Sequence, residues 1–248
     1  MAVEPRSLPN PPITEALVEI RVDRAVPVPL DDLKQLQARL GAAYTQAVPI
    51  RQVKAEIAFT SLGSTHVGQP PSDVAFQFST ADNQHVVHAS PEFLSVHLLR
   101  PYRDWEAFRA DIVKAWSEYV SIAAPSGISR IGVRYINRLD IPVPMNDLAD
   151  YLTTGPMIDP KLPQRFSSLF TRIEIPFPAE NASSIVTQAL VPSGRPDRAA
   201  LLLDIDAYSQ MAFALDDTVL WATIDRLRDI KNKLFFGSIT EKSLELFR

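Results

Sequence analysis

The chain has 248 residues, of which 46% are hydrophobic and 22% are charged, as is ordinary for one large globular domain or two smaller ones. Its formal net charge of −4 gives no basic field for nucleic acid and no polybasic anchor for anionic lipid, so we expect neither as a partner. The absence of cysteine excludes disulfides, thiolate metal sites and a cysteine nucleophile.

The first half of the chain predicts one strand, a helix, several strands and a long helix. Residues 17–23 alternate apolar and polar side chains, as in a half-buried strand. A helix follows with the apolar positions Leu33, Leu36, Leu40 and Tyr44. Further strands are expected at 53–62, 74–79, 85–89 and 93–98. The long helix begins near Asp104, and its apolar stripe consists of Trp105, Phe108, Ile112, Trp116 and Tyr119.

The second half predicts the same order of elements. A strand at 128–141 precedes a short helix capped by Asn146, and strands follow at 169–175, 184–191 and 200–207. The last helix begins near Asp217 with Gly237 at its C-cap, and one side of it carries Leu220, Ile224, Leu227, Lys231 and Leu234. We expect the apolar tail, which ends in Leu244, Leu246 and Phe247, to pack on the domain instead of contacting a partner.

A short internal match indicates that the chain is duplicated. Residues 26–33 (VPVPLDDL) align without gaps on residues 141–148 (IPVPMNDL), 115 residues later, with five of the eight positions identical. The repeats are then 1–125 and 126–248, packed as one pseudo-symmetric unit. Each repeat reads β-α-β(3–4)-α, which predicts an α+β fold in which curved antiparallel sheets each grip a long helix, as in TATA-binding-protein-like and helix-grip folds.

Three arginines on the central strand are the first candidate binding residues. Arg130, Arg134 and Arg138 share one strand face, and guanidinium groups suit phosphate or carboxylate. The alternative is cross-strand ion pairing with acidic neighbours. If the first strands of the two repeats meet antiparallel, the offset predicts the pairs Glu19–Arg138 and Asp23–Arg134.

Two carboxylates in LLLDIDAY form the second candidate. Asp204 and Asp206 share a strand face and could hold a divalent cation or divide acid and base roles. The alternative is pairing with arginines such as Arg134 or Arg172. The histidines lack metal-ligand spacing, and no P-loop, GxGxxG or GxSxG occurs, so we expect no metal, no cofactor and no catalytic residues.

Four segments carry a resemblance to a known family: LPNPPITEALVEIRV, GVRYINRLDIP, LLLDIDAY and SITEKSLELF. With these, the chain resembles a sporadically distributed, uncharacterised bacterial family of proteins of about this length. The resemblance implies a bacterial, cytoplasmic protein and hints at defence or toxin-related loci. It implies no catalytic residues. The lack of a signal peptide and of any apolar run near ~18 residues also favours the cytoplasm.

Two functional hypotheses from different classes follow. The first is a non-enzymatic binding or interaction protein with a protein partner, because every standard catalytic signature is missing. The alternative is a small-molecule binder or enzyme that uses a cleft between sheet and helix. A large pocket lined by polar residues from both repeats would favour the alternative, whereas a solid core with one exposed apolar patch would favour the interaction protein. Enzymatic activity therefore stays undecided, with a non-enzyme preferred.

Overall fold

The structure is a computed structural model that describes residues 8–52, 71–145, 147–156, 159, 161–162 and 167–248, and the backbone of 55–60 and 63–68. Its strands are β1 (Ile13–Asp23), β2 (Tyr44–Gln52), β3 (Ala55–Thr60), β4 (Gly63–Gly68), β5 (Ser72–Thr80), β6 (His85–Ser90), β7 (Phe93–Leu99), β8 (Gly127–Pro142), β9 (Phe170–Phe177), β10 (Ala182–Val191) and β11 (Arg198–Ser209). The helices are α1 (Leu36–Leu40), α2 (Trp105–Ala123), α3 (Asp217–Ser238) and α4 (Glu241–Leu244).

Nine strands form one antiparallel sheet in the order β2-β5-β6-β7-β1-β8-β11-β10-β9. The first strand of each predicted repeat lies at the centre, where β1 and β8 pair antiparallel with Val18 opposite Val133. Strands β3 and β4 form a separate hairpin. The predicted strand at 53–62 overlaps β3, and its residues 53, 54, 61 and 62 lie outside the described part. The α+β class with an antiparallel sheet is confirmed.

A row of apolar side chains crosses the sheet beneath the two long helices. Directly opposed residues on six successive strands are all at most 2% exposed: Phe78, Val87, Val96, Val18, Val133 and Ala207. They belong to the same buried cluster as the apolar stripes of α2 and α3. One face of the sheet is therefore the core face, as the alternation of residues in β1 predicts.

The two long helices begin at side-chain caps. The Asp104 carboxylate accepts a hydrogen bond from the Ala107 N–H at 2.7 Å, and Asp216 does the same for the first turn of α3. The predicted stripe of α2 is buried, with Trp105 6% and Trp116 4% exposed. Gly237, predicted as the C-cap of the last helix, lies inside its final turn instead, because α3 continues to Ser238.

The first predicted helix is shorter than expected. Residues Leu30–Gln35 form a 3-10 helix that leads into α1, and Gly41 (φ 112°) turns the chain into β2. Tyr44 therefore opens a strand and does not extend a helical stripe. The second short helix is a 3-10 turn, Leu148–Asp150, whose Ala149 N–H donates to Asp147. The predicted cap Asn146 lies outside the described residues.

The C-terminal tail packs on the domain, as expected. Leu244 and Phe247 are 7% and 5% exposed in a second apolar cluster that also contains Leu139, Leu203 and Phe235. The Asn10 N–H donates to the Phe247 carbonyl at 3.0 Å, so both chain ends are joined there. Among the described residues, no helix is long and apolar enough to cross a membrane. Duplication and helix-grip architecture stay predictions.

Candidate functional site

The polar face of the sheet carries the predicted arginines and aspartates as ion pairs. Arg130 in β8 donates to Glu19 at 2.8 Å on one side and to Asp206 at 2.9 Å on the other. Its guanidinium also lies over the Tyr208 ring, 4.8 Å from the centroid. A Cβ on Gly132 would lie 2.6 Å from an Arg130 nitrogen, so the missing side chain there gives the guanidinium its space. Arg130 is thus held by side chains from both neighbouring strands, β1 and β11.

The other two arginines also have acidic neighbours. Arg134 makes two hydrogen bonds to Asp204, at 2.8 and 2.5 Å, which confirms the predicted Arg134–Asp204 pairing. Desolvation raises the pKa of Asp206, although the positive charges of Arg130 and Arg134 oppose the change. Arg138 pairs within its own strand, with Asp140 at 3.0 Å, and donates to the Ser193 carbonyl.

The predicted pairs Glu19–Arg138 and Asp23–Arg134 are wrong. Glu19 lies opposite Gly132, so its diagonal neighbours on β8 are Arg130 and Arg134, and it pairs with Arg130. Ligand binding by Arg130, Arg134, Arg138, Asp204 and Asp206 stays a prediction, and their geometry is that of an ion-pair network. The described residues bring together no group of three metal-ligating side chains.

A serine, a histidine and a carboxylate also meet on this face. His97 contacts the Ser95 Oγ at 2.8 Å through Nε2 and the Glu15 carboxylate at 2.7 Å through Nδ1. This hydrogen bond is the main cause of the lowered pKa of Glu15. The order resembles a hydrolytic triad, but Ser95 is 4% exposed and its strand pairs with β1 and β6 on both sides. Since the backbone amides there face neighbouring strands, they cannot stabilise an oxyanion.

A hollow lies on the opposite, core side of the sheet, at the end of the two long helices. We call it the central cleft. Its volume is about 710 Å³. Its lining comes from the N-terminal segment, the start of α2, β8, the end of β9 with the turn after it, and the second half of α3, and includes Tyr102, Trp105, Tyr135, Asn137, Arg228 and Lys231. Four carboxylates and three further cations also line it: Asp104, Glu106, Glu180, Asp229, Arg103, Arg226 and Lys233. Both predicted repeats therefore supply polar side chains to one cavity.

Lys231 is the unusual residue of the central cleft. It is only 7% exposed, and its Nζ lies 3.6 Å from the centroid of the Tyr135 ring. In the described part of the chain, no carboxylate lies within ion-pair distance of Lys231 or of Arg228. The pKa of Lys231 is lowered to about 7, mainly by burial and also by the positive charge of Arg228, while Asp229 opposes the change.

Two tyrosines and an asparagine complete the floor. The Tyr102 and Tyr135 hydroxyls are 3.0 Å apart and form a hydrogen bond. Burial raises the pKa of both phenols, so they stay neutral at physiological pH. Asn137 is 2% exposed and donates from Nδ2 to the Leu203 carbonyl at 3.0 Å. Its side chain is fixed by that bond and holds the polar floor in place.

One residue of the central cleft, Lys231, has a local signal in the sequence. Lys231 occupies a position in the apolar stripe Leu220, Ile224, Leu227, Lys231 and Leu234, where a charged residue is costly to bury. A lysine at a core position of an amphipathic helix indicates either a buried ion pair or a functional amine. No local pattern indicates Tyr102 and Tyr135, because their hydroxyl groups come together only in the folded chain.

Comparison with protein-family models gives no match, and comparison with curated protein sequences gives no significant match.

Proposed function

We propose that the protein binds a small organic anion in the central cleft. The observation that carries the proposal is the pair Arg228 and Lys231, two cations three residues apart on α3 with no carboxylate in ion-pair distance among the described residues. Residues with this spacing are neighbours on one helix face, so their charges repel each other. An anionic ligand between them would relieve this repulsion and replace the missing counter-charge.

The size and lining of the central cleft support this function. Its volume of about 710 Å³ is within the range of about 300–1,000 Å³ that is usual for small-molecule sites. Aromatic rings of Tyr102, Trp105 and Phe236 offer apolar contact area beside the two cations. Polar lining from both predicted repeats is the feature that favours the small-molecule alternative over a pure interaction protein.

Thermal denaturation with defined anions tests the proposal. The full chain would be heated with acetate, succinate, benzoate and phosphoenolpyruvate, each compared with an uncharged amide or alcohol of similar shape. A ligand at 100 times its dissociation constant stabilises the native state by about 2.7 kcal/mol, which raises the Tm by several degrees. We expect at least one anion, and not its neutral analogue, to give such a rise.

Substitutions test whether the anions bind in the central cleft or elsewhere on the surface. In Lys231→Met and Arg228→Met the anion-induced rise in Tm should disappear, because each variant lacks one of the two cations that would bind the anion. Lys34→Met is the control, since Lys34 is an exposed lysine that does not line the central cleft. Anions that stabilise all three variants equally would contradict the proposal, and so would neutral analogues that act as strongly as the acids.

A protein-binding function is the second candidate, and the edge strand β9 favours it. Phe170 and Ile173 on this strand are 70% and 49% exposed, and β9 ends the sheet order. Exposed apolar residues on a sheet edge are typical of contact surfaces. Affinity capture from the native host with the parent chain and with Phe170→Glu would identify a partner that is retained only by the parent.

The duplicated architecture is also part of our proposal. The sequence offset of 115 residues relates Val18 to Val133, and these two residues face each other at the centre of the sheet. An axis through this pair would relate β7 to β11, β6 to β10 and β5 to β9, in agreement with the strand order. Separately purified fragments 1–125 and 126–248 should be unfolded alone and gain strand signal in circular dichroism on mixing.

We further propose, from the resemblance alone, a cytoplasmic bacterial protein.

A further inference from the structure

We propose that Lys231 is a nucleophilic amine that forms an imine with the aldehyde or keto group of a carboxylate ligand in the central cleft. The inference rests on the proposed function and names the class of ligand: a small oxo acid. Arg228 would hold the carboxylate while the carbonyl carbon faces the Lys231 Nζ.

The position of Lys231 is that of an amine kept out of water next to a cavity. Its side chain is 7% exposed, and its Nζ lies over the Tyr135 ring at 3.6 Å from the centroid. A lysine that served only stability would be expected to reach a carboxylate or solvent, because an unpaired buried ammonium is costly. The described residues give Lys231 no such carboxylate, and the central cleft is the space it borders.

Burial and the neighbouring Arg228 lower the pKa of Lys231 to about 7, against an opposing effect of Asp229, and so favour its neutral form. The Tyr135 ring faces the amine from β8 and Tyr102 lines the same cleft before α2. The other charged groups that line the cleft are Arg103, Asp104, Glu106, Glu180, Arg226 and Lys233. Desolvation together with an adjacent cation is a known way to activate a lysine towards carbonyl compounds. Near neutral pH a large share of this side chain is therefore unprotonated.

The proposed step balances without any further reactant. The neutral amine adds to the carbonyl carbon and gives a carbinolamine. The carbinolamine loses its hydroxyl group, with a donated proton, as water, and the hydrogen left on nitrogen returns to the donor as a proton, so that a C=N bond stands in place of the C=O bond. No electron is transferred to or from an outside group. The Tyr102 hydroxyl is available as proton donor for the departing water, since its raised pKa keeps it neutral and it lines the same cleft.

Reductive trapping tests the inference in the full-length protein. The protein would be incubated with glyoxylate or pyruvate and sodium borohydride, and digested for peptide mass mapping. At pH 7 an amine with a pKa of about 7 is half neutral, whereas an ordinary lysine is neutral to roughly 0.03%. We therefore expect one reduced adduct per chain at Lys231, formed more than about tenfold faster than at the exposed lysines. Lys233→Met should keep the adduct and Lys231→Met should lose it.

Two further measurements make the outcomes distinguishable. Lactate carries the carboxylate but no carbonyl group, so it should raise the Tm of the parent chain without giving any adduct. Stabilisation by both lactate and pyruvate with no adduct at Lys231 would refute the imine and leave anion binding intact. An adduct spread evenly over exposed lysines would also refute it. Absence of both stabilisation and adduct would contradict the proposed function itself. In Arg228→Met, trapping at Lys231 should slow and its half-maximal pH should rise.

Discussion

The buried amine of Lys231 gives the protein a pH-dependent stability that can be calculated. The pKa of Lys231 is about 7 in the folded chain and 10.5 when the side chain is solvated. Below about pH 7 the lysine is charged in both states, and the folded state bears the full cost of a buried ammonium. As the pH rises from 7 towards 10.5, the unfolded chain binds more protons than the folded chain, so the free energy of unfolding increases.

The size of the effect follows from the same two values. Between pH 7 and pH 9 this one group should raise the free energy of unfolding by about 2 kcal/mol. Urea denaturation of the parent chain, Lys231→Met and Lys233→Met at both pH values isolates it, because every other titrating group contributes equally to all three. The parent and Lys233→Met should gain about 2 kcal/mol more than Lys231→Met.

The result that would refute this reasoning is a parallel change in all three proteins. Parallel curves would mean that Lys231 keeps an ordinary pKa and therefore reaches water or a carboxylate in solution. The main cause of the lowered lysine pKa is burial, and the aromatic floor formed by Tyr102 and Tyr135 lies beside the amine. Arg228 on the same helix lowers the pKa as well, and Asp229 raises it. A larger gain in the parent than in Lys231→Met would instead support a desolvated amine.

Two predictions concern stability away from the central cleft. Arg130→Met should cost about 1–3 kcal/mol in urea denaturation because it leaves the Asp206 carboxylate without its hydrogen-bonded partner and Glu19 with only the more exposed Arg21. Arg195→Met removes an exposed pair that is screened by solvent and should cost clearly less, so equal losses would contradict the role of the network. Trp116→Ala should cost about 3–5 kcal/mol, since the indole is 4% exposed; a Tm within a degree or two of the parent would show that the indole is not packed in the core.

Elements with strong periodicity were predictable from the sequence. The stripe of α2 repeats at three- and four-residue steps and begins at Asp104, and the structure caps the helix there. The alternation in β1 and β8 likewise indicated which residues face the core. Tyr44 was assigned wrongly because its spacing from Leu40 also fits a helix, while the turn at Gly41 depends on a positive φ that the spacing rule ignores.

Contacts between distant segments were not predictable in the same way. Arg130 was identified as a candidate binding residue, but its partners depend on the β1–β8 register, which no local pattern specifies. The Glu19–Arg138 pair failed for that reason. The central cleft depends on five separate segments that meet only after the sheet has formed, so Tyr102 and Tyr135 could not be paired from sequence. Lys231 was the one member with a local signal.

The central location of β8 has a consequence for how a ligand could enter. Local opening of a sheet begins at its edges, so amide hydrogens of β2 and β9 should exchange with solvent first and those of β1 and β8 last. Tyr135 belongs to this slowest-exchanging strand, whereas the N-terminal segment that borders the cavity, Leu8–Ile13, contributes only its last residue to the sheet. The floor that positions the amine thus lies in the most protected part of the sheet. The N-terminal segment is held by hydrogen bonds from the Arg138 N–H to the Pro12 carbonyl at 2.8 Å and from the Asn10 N–H to the Phe247 carbonyl at 3.0 Å, so entry of a ligand past this segment would require these bonds to open.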